Sequence, residues 1–160
     1  MIEVRKVSTD WGKGMPSGLT YFFIGQPKTG KTTACASWSE KGSDGVLVLD
    51  TDLGAEFVDN ANVVTIASLN APSRPVLKDG KQVTKGGTPQ IEMIPPTERG
   101  FVYRSGQDKG KPMPVYSLIE AYQWLEKEWD KLPYDTVVID TLGQVNEWVE
   151  ETVLQELGIT

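Results

Sequence analysis

The sequence has no histidine and only one cysteine among its 160 residues. A lone cysteine, Cys35, cannot form an internal disulfide, and without histidine the common zinc sites and all histidine-dependent catalytic triads are excluded. The longest apolar run, around residues 19–24, is far shorter than the roughly 20 residues that a membrane-spanning helix needs. Any chemistry must therefore use carboxylates, lysine, hydroxyls, backbone amides or a hard metal ion.

The composition is that of a globular domain, with 39% hydrophobic and 24% charged residues. At this length we predict a single domain that spans residues 1–160. The N-terminal residues 1–6 carry charges where a signal peptide would need an apolar stretch. We therefore expect a cytoplasmic protein that does not associate with membranes.

The net charge of -6 is unevenly distributed along the chain. Residues 70–115 contain eight basic and four acidic residues, so this segment is +4 and the remainder is -10. The segment also holds seven of the ten prolines. We predict a β-rich basic insertion, with a hairpin at residues 76–83 around Asp79-Gly80 and further strands at 91–94 and 100–104.

Outside the insertion, apolar runs alternate with amphipathic segments. Four runs predict strands that are buried on both faces, at residues 19–24, 46–49, 63–66 and 136–139. Three segments predict helices, at residues 31–41, 118–132 and 145–157, the second with a capping box formed by Ser117 and Glu120. This alternation predicts an α/β fold, with a mostly parallel sheet covered by helices on both sides.

A phosphate-binding loop lies between the first predicted strand and the first predicted helix. Residues 25–32 match the pattern G-x-x-x-x-G-K-[ST] at every fixed position. We expect Lys31 to reach the β- and γ-phosphates of a nucleotide and the Thr32 hydroxyl to bind Mg²⁺. The predicted nucleotide-binding residues are Gly25, Gln26, Pro27, Lys28, Thr29, Gly30, Lys31, Thr32 and Thr33.

Carboxylates follow two of the predicted strands. Asp140 ends the strand at 136–139, where it could hold Mg²⁺ through a water molecule. Asp50 and Asp52 end the strand at 46–49, and we favour Asp52, with Glu56 in reserve, as the group that polarises the attacking water. Asp-Thr-Asp is equally good turn and cap chemistry, so this role remains open.

Three segments together resemble the RecA-like P-loop ATPases of phages, especially the Sak-type single-strand-annealing and recombination ATPases. They are GQPKTGKTT at 25–33, VLVLDTD at 46–52 and VVIDT at 137–141. The resemblance implies a RecA-like three-layer sandwich that binds ATP and Mg²⁺. It also places Lys31, Asp52 and Asp140 in the catalytic positions, and Asp140 in the Walker B position beside Thr32.

The resemblance further implies a DNA-stimulated ATPase of phage recombination or strand annealing, a homo-oligomer in the cytoplasm of the host cell. RecA-like cores place another strand, encoded after the Walker B strand, between that strand and the P-loop strand. Here one predicted helix uses the residues after 142. Either the chain is a fragment, or a partner or an altered strand order fills this gap, and we favour a core that is truncated at its C-terminal end.

Three other functions fit parts of the pattern. Asp140, Gly143 and Gln144 resemble the D-x-x-G-Q of GTP-binding switch proteins, although a plain helix start explains them as well. A nucleotide kinase would need a lid of arginines, for which Arg74, Arg99 and Arg104 are available. The third is a nucleotide-dependent DNA-binding module that lacks turnover.

The basic insertion predicts single-stranded DNA as a partner. Its lysines and arginines alternate with Phe101 and Tyr103, a combination that can follow a phosphate backbone and stack bases. The alternative is that the lysines only protect an edge strand from pairing.

Overall fold

The computed structural model describes residues 20–26 and 28–159. Within them the strands are β1 (Val46–Asp50), β2 (Asn62–Ser68), β3 (Ser73–Pro75), β4 (Leu77–Lys78), β5 (Lys81–Gln82), β6 (Thr84–Lys85), β7 (Thr88–Pro89), β8 (Ile91–Met93), β9 (Tyr116–Ser117) and β10 (Thr136–Asp140). The α-helices are α1 (Lys31–Cys35), α2 (Leu118–Glu128) and α3 (Leu142–Glu156).

A four-stranded parallel sheet forms the centre of the fold, with strand order β10-β1-β2-β9. The register between β1 and β10 runs from Val46 opposite Thr136 to Asp50 opposite Asp140. Because carboxyl ends of parallel strands share one edge of a sheet, these two aspartates lie side by side. The predicted α/β fold with a parallel sheet is confirmed.

Alternate residues of β1 supply two separate apolar layers. Val46 and Val48 pack with Ala36, which follows α1, on one face of the sheet. Leu47 and Leu49 pack on the other face with residues of α2 and α3, among them Trp148. Every side chain of β1 is buried, which explains why its sequence is apolar without alternation.

The predicted strand at 19–24 is wrong for the described residues 20–24, which belong to no strand and are exposed. Tyr21 and Phe23 instead pack edge to face on Trp38, with ring centroids 5.8 and 5.1 Å apart. Leu19 lies outside the described residues. Among the described strands, β10 is therefore outermost, and Val137 and Ile139 are 38% and 43% exposed rather than buried as predicted.

Two of the three predicted helices form over most of their length. In α2 both hydrogen bonds of the Ser117–Glu120 capping box are present, and α3 is followed by Gly158 at φ 67°. The helix predicted at 31–41 ends at Cys35. Ser37 and Ser39 bond to nearby backbone groups with their hydroxyls, a competition that disfavours helix continuation.

The first half of the insertion is a hairpin arm, residues 73–93, made of three two-stranded ladders. Their junction is a ring of backbone hydrogen bonds, from Val76 N–H to Gln90, from Gln90 to Val83, and from Val83 back to Val76. The predicted hairpin at 76–83 is confirmed as β4 and β5, with Asp79 and Gly80 at positive φ in the turn. The predicted strand at 91–94 is observed as β8.

The second half of the insertion packs against the core. The strand predicted at 100–104 is wrong, because only an isolated bridge between Val102 and Pro112 forms there. Met113 and Val115 are buried, at 4% and 0% exposure. This half is therefore part of the domain core, and only the hairpin arm projects from it.

Arg99 joins the insertion to α2. Its guanidinium donates to both carboxylate oxygens of Glu120 at 2.7 and 2.8 Å, and to the carbonyls of Ile94 and Val115. Only 4% of the Arg99 side chain is exposed. Hydrogen bonds from Arg99, and further bonds from Ser117, lower the pKa of Glu120 to about 2.

Candidate functional site

The phosphate-binding loop leads directly into α1. Lys28 and Gly30 both have positive φ, at 64° and 82°, and Gly30 is the N-cap residue of the helix. A Cβ on Gly25 would lie 3.2 Å from Oγ1 of Thr29, so this position also favours glycine. Pro27 lies outside the described residues.

Two side chains of the loop converge on one backbone carbonyl. Oγ1 of Thr29 and Nζ of Lys31 donate to the carbonyl oxygen of Gln26, at 2.9 and 2.8 Å. The Lys31 ammonium is thus held over the loop by a single neutral acceptor. Phosphate oxygens would be stronger acceptors for it, because both partners would then be charged.

Thr32 and Asp140 meet beside this loop. Oγ1 of Thr32 donates to Oδ2 of Asp140 at 2.5 Å. Burial, and then the charge of Asp140, raise the pKa of the Cys35 thiol, whereas Lys31 lowers it. Lys31, Thr32 and Asp140 therefore share one electrostatic neighbourhood.

The oxygen chemistry of this pair fits Mg²⁺. A hydroxyl and a carboxylate are ligands that this ion accepts, and it commonly completes its shell with water and phosphate oxygens. No cluster of three or more Asp, Glu, Cys or His side chains within the described ranges could hold a metal by itself. Phosphate is thus the natural source of the remaining ligands, and the metal role of Thr32 and Asp140 stays a prediction.

Asp50 serves the turn that follows β1. Its carboxylate is fully buried and accepts hydrogen bonds from the N–H groups of Gly54 and Ala55, at 3.1 and 3.2 Å. Burial, and then the charge of Asp52, raise the pKa of Asp50 to about 6. This carboxylate is thus occupied by local backbone donors, as turn chemistry predicts.

Asp52 is exposed, in contrast to Asp50. Its Oδ1 accepts from the Gly54 N–H at 2.9 Å, and the other carboxylate oxygen has no hydrogen bond within the described part of the chain. Glu56 belongs to the 3₁₀ helix Ala55–Phe57, and its side chain lies outside the described part. The catalytic role of Asp52 remains a prediction, in a position open to a substrate.

Thr51, between these two aspartates, contributes contacts that the sequence analysis missed. Its N–H donates to the carbonyl of Asp140 at 2.6 Å. Its hydroxyl donates to the carbonyl of Thr141 at 2.9 Å and accepts from the N–H of the same residue at 2.7 Å. A threonine in a turn is common, so nothing in the sequence distinguishes it.

The structure favours a helix start as the explanation of the D-x-x-G-Q pattern. Gly143 and Gln144 lie in the first turn of α3, and Gln144 donates to Oε2 of Glu147 at 3.0 Å within the helix. The structure also counts against the nucleotide-kinase alternative, because two of the arginines available for a lid are paired with carboxylates. Arg99 is buried against Glu120, and Arg74 is paired with acidic residues of the insertion, Glu92 and Glu98.

The hairpin arm carries three exposed lysines of the insertion. Lys78 and Lys81 lie opposite each other across the β4–β5 turn, and Lys85 lies on the adjacent hairpin. Within the described ranges these three lysines form no ion pair. Phe101 and Tyr103 are half-buried in the packed half of the insertion, so the structure does not group them with these lysines.

Comparison with protein-family models gives a match over most of the chain. Residues 17–159 match the family model described as an AAA domain, a range that includes the glycine-rich loop at 25–32, β1 with the turn at Asp52, and β10, which ends at Asp140. Comparisons with curated proteins and with solved structures gave no match. No helix in the described residues has the length and apolar character that crossing a membrane requires.

Proposed function

The chain belongs to the AAA domain family of P-loop ATPases, and we propose that it is an ATP- and Mg²⁺-dependent hydrolase stimulated by single-stranded DNA. We place its activity in phage recombination or strand annealing. This proposal follows the RecA-like pattern of the three site segments. The family membership supports ATP binding in general, whereas the DNA and recombination roles rest on the sequence resemblance and the basic arm.

The hydrogen bond between Thr32 and Asp140 carries the nucleotide part of the proposal. It brings the last residue of the P-loop motif and the Walker B position into contact. In hydrolysis Thr32 and Asp140 would hold Mg²⁺, which neutralises charge on the phosphates when it is bound. Lys31 would exchange the Gln26 carbonyl for phosphate oxygens and stabilise the charge on the transferred group.

Asp52 is the proposed group that orients and polarises the attacking water. It follows the strand adjacent to the Walker B strand, and one of its carboxylate oxygens remains available in the described part of the chain. Asp50 is not a candidate, because Gly54 and Ala55 occupy its buried carboxylate.

We propose that the active form is a homo-oligomer with a RecA-like sheet. A RecA-like sheet has a further strand beside the Walker B strand. In this chain the corresponding strand is β10, and its outer side has no partner among the described strands. Sedimentation of the chain with and without ATP and single-stranded DNA tests assembly. A monomer under every condition would contradict the oligomer.

The first experiment measures ATP binding and phosphate release. Calorimetry with ATP and Mg²⁺ should detect binding, and phosphate release should increase when single-stranded DNA is added. Lys31→Ala should lose ATP binding and phosphate release, because no lysine then compensates the charge of the phosphates. Lys127→Ala, an exposed lysine at the end of α2, is the matched control.

The results also separate the alternatives. GTP bound in preference to ATP would favour a switch protein. ATP and DNA binding without phosphate release would favour a nucleotide-dependent binding module. No heat with either triphosphate would refute nucleotide binding.

The second experiment tests the hairpin arm. Lys78→Ala combined with Lys81→Ala should weaken binding of single-stranded DNA and reduce its salt dependence, because fewer counterions are released. Lys127→Ala combined with Lys131→Ala removes the same charge from α2 and the turn after it. ATP binding should be unaffected in both double variants. Equal DNA affinity in the two would refute the arm as the DNA site.

A further inference from the structure

Thr51 connects the two turns on which the proposed catalytic carboxylates lie. It follows β1 directly and is only 6% exposed. Its N–H extends the parallel ladder to the carbonyl of Asp140. Its hydroxyl then makes two further bonds with Thr141, one as donor and one as acceptor. Thr51 thus holds the Asp140 carbonyl with its backbone and both backbone groups of Thr141 with its side chain.

The hydroxyl bonds add something that the sheet itself does not supply. Beyond the last residue pair of the β1–β10 register, Asp50 and Asp140, the Thr51 N–H and the two hydroxyl bonds join the turn after β1 to the residues that follow β10. Asp52 is the next residue after Thr51, and the carboxylate of Asp140 is held on its other side by Thr32. Thr51 therefore links the backbone next to Asp52 with the backbone of Asp140 and Thr141.

We propose that Thr51 is a positioning residue for nucleotide hydrolysis. Its hydroxyl sets the separation between Asp140, the proposed metal-holding carboxylate, and Asp52, the proposed water-polarising carboxylate. Its hydroxyl bonds to the backbone of Thr141, so it would act on the two carboxylates through the backbone. This role rests on the proposed function.

Thr51→Val tests the role, because valine keeps the β-branched shape and removes only the hydroxyl. Thr51→Ser restores the hydroxyl without the methyl group. At saturating ATP and Mg²⁺, Thr51→Val should lower kcat about tenfold, and KM for ATP should change less than kcat. Thr51→Ser should recover most of the activity.

A second readout does not require turnover. By calorimetry, Mg²⁺ should increase the ATP affinity of Thr51→Val less than that of the wild-type chain or Thr51→Ser. A residue that only stabilised the fold would lower the free energy of unfolding in urea without changing this magnesium dependence. Unfolding curves for all variants therefore accompany the binding data.

Several results would overturn the proposal. Wild-type kcat and magnesium dependence in Thr51→Val would do so, as would a serine variant no better than the valine variant. If Thr51→Val does not fold, the smaller Thr51→Ala takes its place, and failure of both to fold would assign the hydroxyl to the fold alone. A wild-type chain that neither binds nor hydrolyses ATP would instead refute the proposed function.

Discussion

Thr32 and Asp140 are 108 positions apart in the sequence, and their side chains are joined by a hydrogen bond of 2.5 Å. The bond links α1 to the carboxyl end of β10. It gives the nucleotide proposal its geometric basis, because the two oxygen ligands expected for Mg²⁺ lie together before any ligand is considered.

Removal of either group should weaken magnesium-dependent ATP binding. We expect Thr32→Val or Asp140→Asn to reduce the gain in ATP affinity on adding Mg²⁺ by roughly 10- to 100-fold, since the ion loses an oxygen ligand or its support. Calorimetry with and without Mg²⁺ measures this gain. Thr152→Val is the control, because the hydroxyl of Thr152 in α3 donates to the Trp148 carbonyl within the same helix. A full magnesium effect in both site variants would contradict the prediction.

Gly54→Ala should disturb Asp52 without straining the backbone. The φ of Gly54 is -82°, which alanine accepts, but a Cβ there would lie 2.8 Å from Oδ1 of Asp52. The carboxylate must therefore move, and kcat for ATP hydrolysis should fall about tenfold while ATP affinity is maintained.

Gly143→Ala is the control for Gly54→Ala, because a Cβ there has no neighbour closer than 4.0 Å. An unchanged kcat in Gly54→Ala would count against Asp52 as the water-polarising group. Loss of activity in Gly143→Ala would favour the switch-protein reading.

Arg99→Met should destabilise the domain. It leaves the Glu120 carboxylate without its guanidinium partner, at an expected cost of about 3 kcal/mol in the free energy of unfolding. Arg74→Met is the matched control: this arginine also bonds two carboxylates, but it is 46% exposed, so we expect a clearly smaller loss of stability than in Arg99→Met. Urea unfolding at neutral pH measures both, and equal losses would contradict a special role for Arg99.

The Arg99–Glu120 pair should also produce a pH dependence. The folded pKa of Glu120, about 2, lies below the ordinary value of 4.5. Its contribution to stability is therefore complete above pH 4.5 and is lost as the pH falls toward 2. In Arg99→Met this acid-dependent loss should become smaller.

Asp50 should produce the opposite trend at higher pH. Its folded pKa of about 6 is above the ordinary value of 3.8, so the folded state retains a proton that the unfolded state releases. Stability should therefore fall as the pH rises from about 4 to about 6. Urea unfolding at pH values between about 4 and about 6 should show this slope in the wild-type chain and a flatter curve in Asp50→Asn. An identical slope in Asp50→Asn would contradict Asp50 as the source of this pH dependence.

The sequence by itself determined the local features of this protein. The P-loop pattern, the Ser117 capping box, the Asp79-Gly80 hairpin and the all-apolar run of β1 depend on residues close together in the chain, so each could be identified from its own segment. The same holds for the turn role of Asp50, whose partners Gly54 and Ala55 follow within a few positions.

Only the tertiary structure decided which distant groups meet. The Thr51 hydroxyl bonds to Thr141 because the parallel sheet places the ends of β1 and β10 side by side. Arg99 bonds to Glu120 because the packed half of the insertion lies against α2. The aromatic residues near 21–23 are β-prone, yet in the structure they pack on Trp38 and form no strand. Strand pairing and side-chain burial depend on long-range partners, and a local pattern does not contain that information.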